Sequence, residues 1–328
     1  VKMNVGLLQL LKNNRGNWLT MEAISGSLES GPSVVLGEIE KLRQIGYLIE
    51  AVPAYGFRLS GCGQKFNADL IEHGLGTKRI GRKVLVYEST NSTNDVAWQY
   101  AMEGGWDGLA VFAEHQRGGR GRSQNRWVSP AGNGILCSVL LEDMSRDMGE
   151  KLTLLAGLSA AEAVEDVCSI RTRIKWPNDV SVSGKKLAGV MVESRKIDNA
   201  FTYVIGIGIN CLQSRDDFEG ELGNTAVSIR QLTGGDVDRL QLAERLLGRL
   251  DYWLSVVNGE VPGQQVKGLH DEWLGRCDEV GRRITLVSNG QSYTGRVVDV
   301  SVAQGLLVQL DNGAVKVFDS ATTTVMRR

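Results

Sequence analysis

Four arginines, Arg117, Arg120, Arg122 and Arg126, stand among five glycines between residues 114 and 134, and no acid follows Glu114 until Glu142. Planar guanidinium groups on so glycine-rich a backbone suit a loop that closes over phosphate or carboxylate oxygens, because each presents a rigid fork of donors. Three other stretches could serve the same anion. Ser89-Thr90-Asn91-Ser92-Thr93-Asn94 sets hydroxyls and amides at a strand-to-helix junction, where they can cap the helix or point at a polar ligand. Lys175-Trp176-Pro177-Asn178-Asp179 puts a cation beside a turn, and Lys186 follows a second turn at Ser183-Gly184. Gly206 and Gly208 interrupt an apolar strand pattern ending at Asn210, which marks a place where another group packs closely.

Other chemistry is poorly provided for. The histidines, His73, His115 and His270, share no metal-ligand spacing with one another or with the five scattered cysteines, Cys62, Cys137, Cys168, Cys211 and Cys277. Zinc, haem and flavin sites are therefore not expected, and an imidazole-assisted nucleophile is hard to assemble. The thiols read as reduced and buried. No G-x-x-x-x-G-K-[ST] loop occurs, and Cys211 breaks the G-x-G-x-x-G pattern begun at Gly206. With Lys+Arg 37 against Asp+Glu 38, no global field gathers nucleic acid or membrane, so anion binding must be local. The 328 residues allow two or three domains, and the absence of a long apolar run or basic leader sets a cytoplasmic location as the default, with no membrane partner.

The elements that must position these residues follow from periodicity. Helical patterns at Leu7 to Leu11, Thr20 to Leu28 and Val34 to Ile45, with Thr20 as an N-cap, precede two short strands around Pro53-Ala54-Tyr55. After a boundary at Gly61-Cys62-Gly63, Lys65 to Leu75 reads as a linker helix. Strands are expected at Val84 to Tyr87, Gly134 to Leu141, Leu187 to Glu193 and Tyr203 to Asn210, and helices at Val96 to Met102 and Leu152 to Cys168. Arg282 to Val287, Ser292 to Val300, Gly305 to Leu310 and Ala314 to Phe318 read as closely spaced strands, with hairpin turns at Asn289-Gly290 and Asn312-Gly313.

The ordered set Ser-Thr-Asn, Gly-Arg-Gly-Arg, Lys-Trp-Pro-Asn-Asp, Lys-Leu-Ala-Gly and Gly-x-Gly-Ile-Asn closely resembles the biotin-protein ligase family, of the bifunctional type with an N-terminal winged helix-turn-helix. The resemblance covers nearly the whole chain. It implies an α+β fold in three parts: a winged helix-turn-helix at 1–64, a catalytic domain with a mixed seven-stranded sheet at 65–275 and an SH3-like β-barrel at 276–328. It implies biotin and ATP with Mg²⁺ as substrates, adenylation of biotin and transfer to a lysine of a biotin carboxyl carrier protein. A homodimer and operator DNA are further implied partners.

By the same resemblance, Ser92, Thr93, Asn94, Gln116, Gly119 and Gly121 would hold biotin, with Gly189 and Met191 on the pocket wall. Ser92-Thr93-Asn94 is taken over its overlapping upstream copy because the family motif immediately precedes a helix. Arg120, Arg122, Lys175 and Lys186 would be the catalytic cations, the first two also closing over biotin, with Lys186 beside the reacting carboxylate. Trp127 would face the adenine, and Arg122, Lys175, Asn178, Asp179 and Asn210 would meet the adenylate, with Mg²⁺ transiently near Asp179. Ser123-Gln124-Asn125 interrupts the family's basic continuation of the loop. In the third helix Leu36, Gly37, Glu38 and Glu40 are expected on or near the face that would meet DNA, and residues 1–60 carry six basic against five acidic residues, an even balance for phosphate neutralisation. Two other readings stay open: a lipoate or octanoate transferase on a related fold, and a regulator that senses an adenylate without ligating it.

Overall fold

The structure, a computed structural model, describes residues 5–61, 65–122, 125–263 and 266–326. Cys62 and Gly63 of the expected boundary, and Ser123 and Gln124 of the arginine loop, lie outside the described residues.

The chain opens with helices α1 (Val5–Asn13), α2 (Met21–Leu28) and α3 (Pro32–Gln44), followed by an antiparallel hairpin of β1 (Leu48–Val52) and β2 (Gly56–Gly61). Thr20 caps α2 as expected, its hydroxyl accepting from Ala23 N at 3.2 Å. Along α3 the inward stripe is Val35, Glu38, Ile39 and Leu42, spaced i, i+3, i+4, i+7. Glu38 is therefore not on the outer face, which corrects the expectation; its carboxylate turns back to Lys41 at 2.6 Å. The outer face keeps Val34, Leu36, Gly37 and Glu40. Several of the module's cations are held at home. Arg43 donates to Ile49 O at 2.7 Å, Arg58 pairs with Glu50 at 2.6 Å beneath the Trp18 ring, and Lys12 reaches Asp238 of the next unit at 3.1 Å.

Helix α4 (Ala68–Gly74), capped by Asn67 and shorter than the expected linker helix, leads into the central unit. Its elements are β3 (Val84–Tyr87), α5 (Thr93–Met102), β4 (Ala110–Ala113), β5 (Gly134–Met144), α6 (Met148–Cys168), β6 (Arg173–Lys175), β7 (Asp179–Val182), β8 (Lys185–Ile197), β9 (Ala200–Asn210), then α7 (Leu222–Thr225), α8 (Ile229–Thr233), α9 (Arg239–Val257) and α10 (Val266–Arg276). The seven strands form one mixed sheet in the order β3-β4-β5-β9-β8-β7-β6, in which only β3 and β4 run parallel. Strand alternation divides its side chains between two apolar layers. Val111, Leu140 and Val204 pack under α5, whereas Phe112, Val139, Leu141 and Ile205 join the larger core with α6 and α9. Because both faces are covered, β5 is buried along nearly its whole length and reads as a continuous apolar run.

One buried ion pair ties this unit to the chain that enters it. Arg239 is 1% exposed and pairs with Glu114 at 2.8 Å, donates to Gly134 O at 3.0 Å and lies over the Phe66 ring. The other Glu114 oxygen accepts from Phe66 N at 2.7 Å, and Glu114 O accepts from Gly132 N at 2.9 Å. The first residue of the arginine loop is thus fixed to its far end, to α9 and to the tether from the N-terminal module.

The C-terminal unit is a five-stranded antiparallel sheet of β10 (Arg283–Ser288), β11 (Gln291–Ser301), β12 (Gly305–Leu310), β13 (Val315–Phe318) and β14 (Thr323–Val325), ordered β13-β12-β11-β10-β14. Asn289 and Gly290 both take positive φ, the two-residue hairpin their identities imply. Strand β14, too short and Thr-rich for an alternation signal, was not among the expected strands. His270 on α10 bridges to Asp299 on β11 at 3.0 Å and to Asp271 at 3.1 Å; burial opposes its charge, but these carboxylates outweigh it and hold the imidazole above its usual value.

Where α9 meets α1 and α4, Glu244 faces Lys12, Asp238 and Gly74. Burial pushes its carboxyl from 4.5 up to about 7, against the pull of Lys12 and with the push of Asp238. The folded state therefore binds a proton that the unfolded state does not between those values. Its contribution to stability is present below pH 4.5 and is lost as pH rises through about 7. Glu244→Gln is expected to raise Tm at about pH 8 and to leave it unchanged at about pH 5, measured by thermal unfolding.

Candidate active site

The α5 face of the sheet carries the site. On β9, Gly206 and Gly208 share the face of Val204; opposite them on β8 stand Met191 and Gly189. Two glycines directly across from each other leave a shallow floor, and the Trp127 indole lies on it: a Cβ at Gly208 would come within 2.3 Å of the ring and one at Gly189 within 3.1 Å. Lys186 Nζ sits 5.6 Å from the centre of the same ring. Around this floor opens a cavity of about 540 Å³.

Toward β5 the wall is uncharged and polar. Ser92 stands at the N-terminus of α5 but its side chain makes no capping bond, so the capping role is not the one it plays. Thr93 and Asn94, in the first helical turn, are buried. The Gln116 carbonyl accepts from Thr93 N at 2.7 Å and from Thr93 Oγ1 at 3.0 Å, while the Ser138 hydroxyl donates to Asn94 Oδ1 at 2.6 Å. Ser138 was missed by sequence reasoning, since it sits unmarked inside an apolar strand.

Toward β6 and β7 the wall is charged. Lys175 ends β6 and is in register with Asp179, the first residue of β7 rather than a turn residue. Ser183 and Gly184, both at positive φ, turn the chain so that Lys186 on β8 reaches Asp179 Oδ1 at 2.5 Å. Among the described residues Lys175 has no ion-pair partner within 4.0 Å. Asn178 is held by donation to Val190 O, and Asn210 by donation to Val227 O at 3.2 Å and acceptance from Gln213 at 3.2 Å. Both amides face the cavity with much of their bonding capacity used by the protein.

The arginine loop crosses over the top. Arg120 pairs with Asp95 at 2.7 Å and Glu193 at 3.4 Å, and Asp95 beside it holds its guanidinium above the usual range. Arg122 turns the other way, donating to Asn178 Oδ1 at 3.4 Å and, in the C-terminal unit, to Ser320 O and to Thr323 O at 3.2 Å. Burial lowers its pKa, against the attraction of Asp179, Glu150 and Asp319.

All the expected site residues line this cavity except Gly119. Gly119 is buried behind it, accepting from Trp127 N at 3.0 Å where a Cβ would lie 2.5 Å from Trp127 O. It shapes the loop from outside the cavity. Unexpected wall residues are Phe218, Glu221 and Leu222 around α7 and Thr324 to Met326 around β14. Among the described residues no group of three or more His, Cys, Asp or Glu side chains could hold a metal ion. Cys137, Cys168, Cys211 and Cys277 are free thiols; burial raises each, to about 11 for Cys168 and about 12 for Cys211 and Cys277. No helix among the described residues is long and apolar enough to cross a membrane.

Residues 86–210, which contain all five motifs of the ordered set, match the model of the Biotin/lipoate A/B protein ligase family. The bifunctional ligase/repressor BirA of Bacillus subtilis (strain 168) is 30% identical over 318 residues, 96% of each chain. The chain belongs to the biotin-protein ligase family. A second family member, the bifunctional ligase/repressor BirA of Escherichia coli (strain K12), is 32% identical over 94% of this chain and 93% of that one. Among solved structures, the family's fold is matched by the biotin protein ligase from Aquifex aeolicus in complex with biotin and ATP, with TM-score 0.63 and 26% identity over 75% of this chain and 99% of that chain.

Proposed function

We propose that the chain activates biotin with ATP to biotinyl-5'-adenylate and transfers biotin to a lysine of a biotin carboxyl carrier protein. One observation carries this reading: a single cavity has neutral hydroxyl and amide groups toward β5 and the cations Lys175, Lys186 and Arg122 toward β6 and β7. A neutral ureido ring suits the first wall. The second suits the two anions that must be joined, a carboxylate and the α-phosphate, whose repulsion fixed cations offset. A carboxylate oxygen attacks the α-phosphorus and pyrophosphate leaves; an acceptor amine then attacks the mixed anhydride carbonyl, and AMP leaves. Neither step needs an enzyme nucleophile, in keeping with thiols that are buried at Cys137 and Cys211, half-buried at Cys168 and Cys277, and all pushed up in pKa.

Mg²⁺ would enter with ATP. Asp179 fits it as an oxygen donor, the one carboxylate leaving room for phosphate and water ligands, whereas the amide oxygens of Asn178 and Asn210 already accept from Arg122 and Gln213. When bound, the ion spreads phosphate charge. Ser92, Thr93, Asn94 and Gln116 would orient biotin, and the arginine loop would exclude water from the anhydride. On this reading the chain divides into a winged helix-turn-helix at 1–64, the catalytic domain at 65–275 and an SH3-like barrel at 276–328, a division that the order of helices, mixed sheet and small antiparallel sheet supports.

Incubation with biotin, Mg·ATP and a carrier domain tests the reading. Labelling of one acceptor lysine is expected; labelling by lipoate or octanoate in place of biotin would move the chain to the transferase branch, and no labelling rejects ligation. The relatives named as repressors make operator DNA a second partner to test. The engaged cations Arg43 and Arg58 and the outer residues Leu36, Gly37 and Glu40 predict weak affinity with a shallow salt dependence in a mobility-shift titration.

Gly206→Val tests the biotin wall. The new Cβ would lie 2.5 Å from Asn94 Oδ1, so the Asn94 amide must leave its bond to Ser138 and shift within the wall. Biotin affinity measured by calorimetry is expected to fall about 10- to 100-fold with the sheet intact.

A further inference from the structure

We propose that Glu150 and Ser320 are positioning residues of the ligase reaction: the Glu150 carboxylate fixes the turn leading into β14, and the carbonyls of Ser320 in that turn and of Thr323 at the start of β14 aim the Arg122 guanidinium into the cavity. The proposal rests on the ligase reading above. Three parts of the chain meet at this point. Glu150 lies in the first turn of α6, and its Oε2 accepts from Ser320 N at 3.2 Å and from Ser320 Oγ at 2.5 Å, across 170 positions of sequence. The turn is braced from within by Asp319, which accepts from Thr322 N at 2.8 Å and Thr322 Oγ1 at 2.6 Å. Ser320 and Thr323 are buried, and their carbonyls receive Arg122.

The kind of partner matters as much as the position. Arg120, two residues earlier, is paired with two carboxylates and has little charge left for a ligand. Among the described residues Arg122 is bonded only to neutral oxygens, so its direction is set without a direct ion pair there to neutralise its charge. Glu150, Asp179 and Asp319 act on it only from longer range, keeping the guanidinium charged in a site whose burial works against it. A phosphate or carboxylate entering the cavity completes the ion pair.

Glu150 itself is placed at a cost. Burial pushes its carboxyl up, and Oε1 is shut off from solvent with no hydrogen-bond partner among the described residues. An apolar or amide side chain would serve packing alone more cheaply. Thr324, Val325 and Met326, which follow the turn, line the cavity, so movement of the turn displaces the wall and Arg122 together.

The test uses the full chain with Glu150→Ala, Glu150→Gln and Ser320→Ala. After a single turnover without acceptor, Glu150→Ala is expected to release the adenylate about tenfold faster and to raise KM for ATP by a similar factor, with biotin affinity unchanged. Glu150→Gln, whose amide oxygen can accept both Ser320 bonds, should restore most of the loss; Ser320→Ala, which keeps the N–H donor, should lie between. Wild-type release and KM in Glu150→Ala overturn the proposal. So does equal damage from Gln and Ala, or a fall in biotin affinity in step with Tm, which marks a merely structural role. If Glu150→Ala does not fold, Ser320→Ala decides, and unchanged release in it overturns the proposal. A parent chain that cannot charge an acceptor defeats the ligase reading instead, whereas an active parent with indifferent variants defeats only this inference.

Discussion

Lys175→Ala is expected to slow adenylate formation by about 10²- to 10³-fold, the loss typical of a fixed charge-stabilising donor at a developing anion. Lys186 shares its charge with Asp179 at 2.5 Å, whereas Lys175 has no such partner among the described residues. With only the longer-range attraction of Glu279 acting on it among the described residues, its charge would be largely available to a reacting carboxylate and phosphate. Because a transition state carries more charge at those oxygens than the ground state does, the loss should appear in kcat more than in KM for biotin. Rapid-quench measurement of pyrophosphate release in one turnover checks this. A rate equal to that of the parent chain would falsify the assigned role.

Arg122→Ala should act later, on retention. Its guanidinium joins the loop to Asn178 on one side and to Ser320 and Thr323 on the other. Removing it deletes both the charge over the adenylate and the bond that closes the loop onto the C-terminal sheet. Release of preformed adenylate is expected to quicken about 100-fold, corresponding to the loss of one strong charge-assisted contact. Arg120→Ala should be milder, since its charge is already answered by Asp95 and Glu193. Trapping released adenylate with a free amine distinguishes the two, and equal release from both variants would show that loop closure does not depend on which arginine is kept.

Much of this site could be read in the sequence because its residues advertise themselves. A cation beside a Trp-Pro turn, a doubled Ser-Thr-Asn and two glycines in an apolar strand are each costly choices for packing alone, so they point outward from the core to a ligand. Ser138 could not be found in this way. Nothing in the sequence around it departs from a buried strand, and only the β5 register places its hydroxyl against Asn94. The wall at Thr324 to Met326 was hidden for a related reason: β14 is three residues long, and its pairing with β10 is a long-range event with no local periodicity. Glu38 failed by one helical position, because a carboxylate in an inward stripe is read as exposed until its Lys41 partner is seen. The three-part order of helices, mixed sheet and small sheet was legible throughout, since turns and periods change where the units change.

The carboxylate of Glu114 gives the molecule a shared mechanical anchor. One of its oxygens restrains the tether at Phe66, the other is gripped by Arg239, and its backbone fastens the far end of the arginine loop through Gly132. The tether, α9 and both ends of the arginine loop thus meet at one residue. Severing the chain at the tether would thus remove one of the three holds on Glu114 and leave those of Arg239 and Gly132.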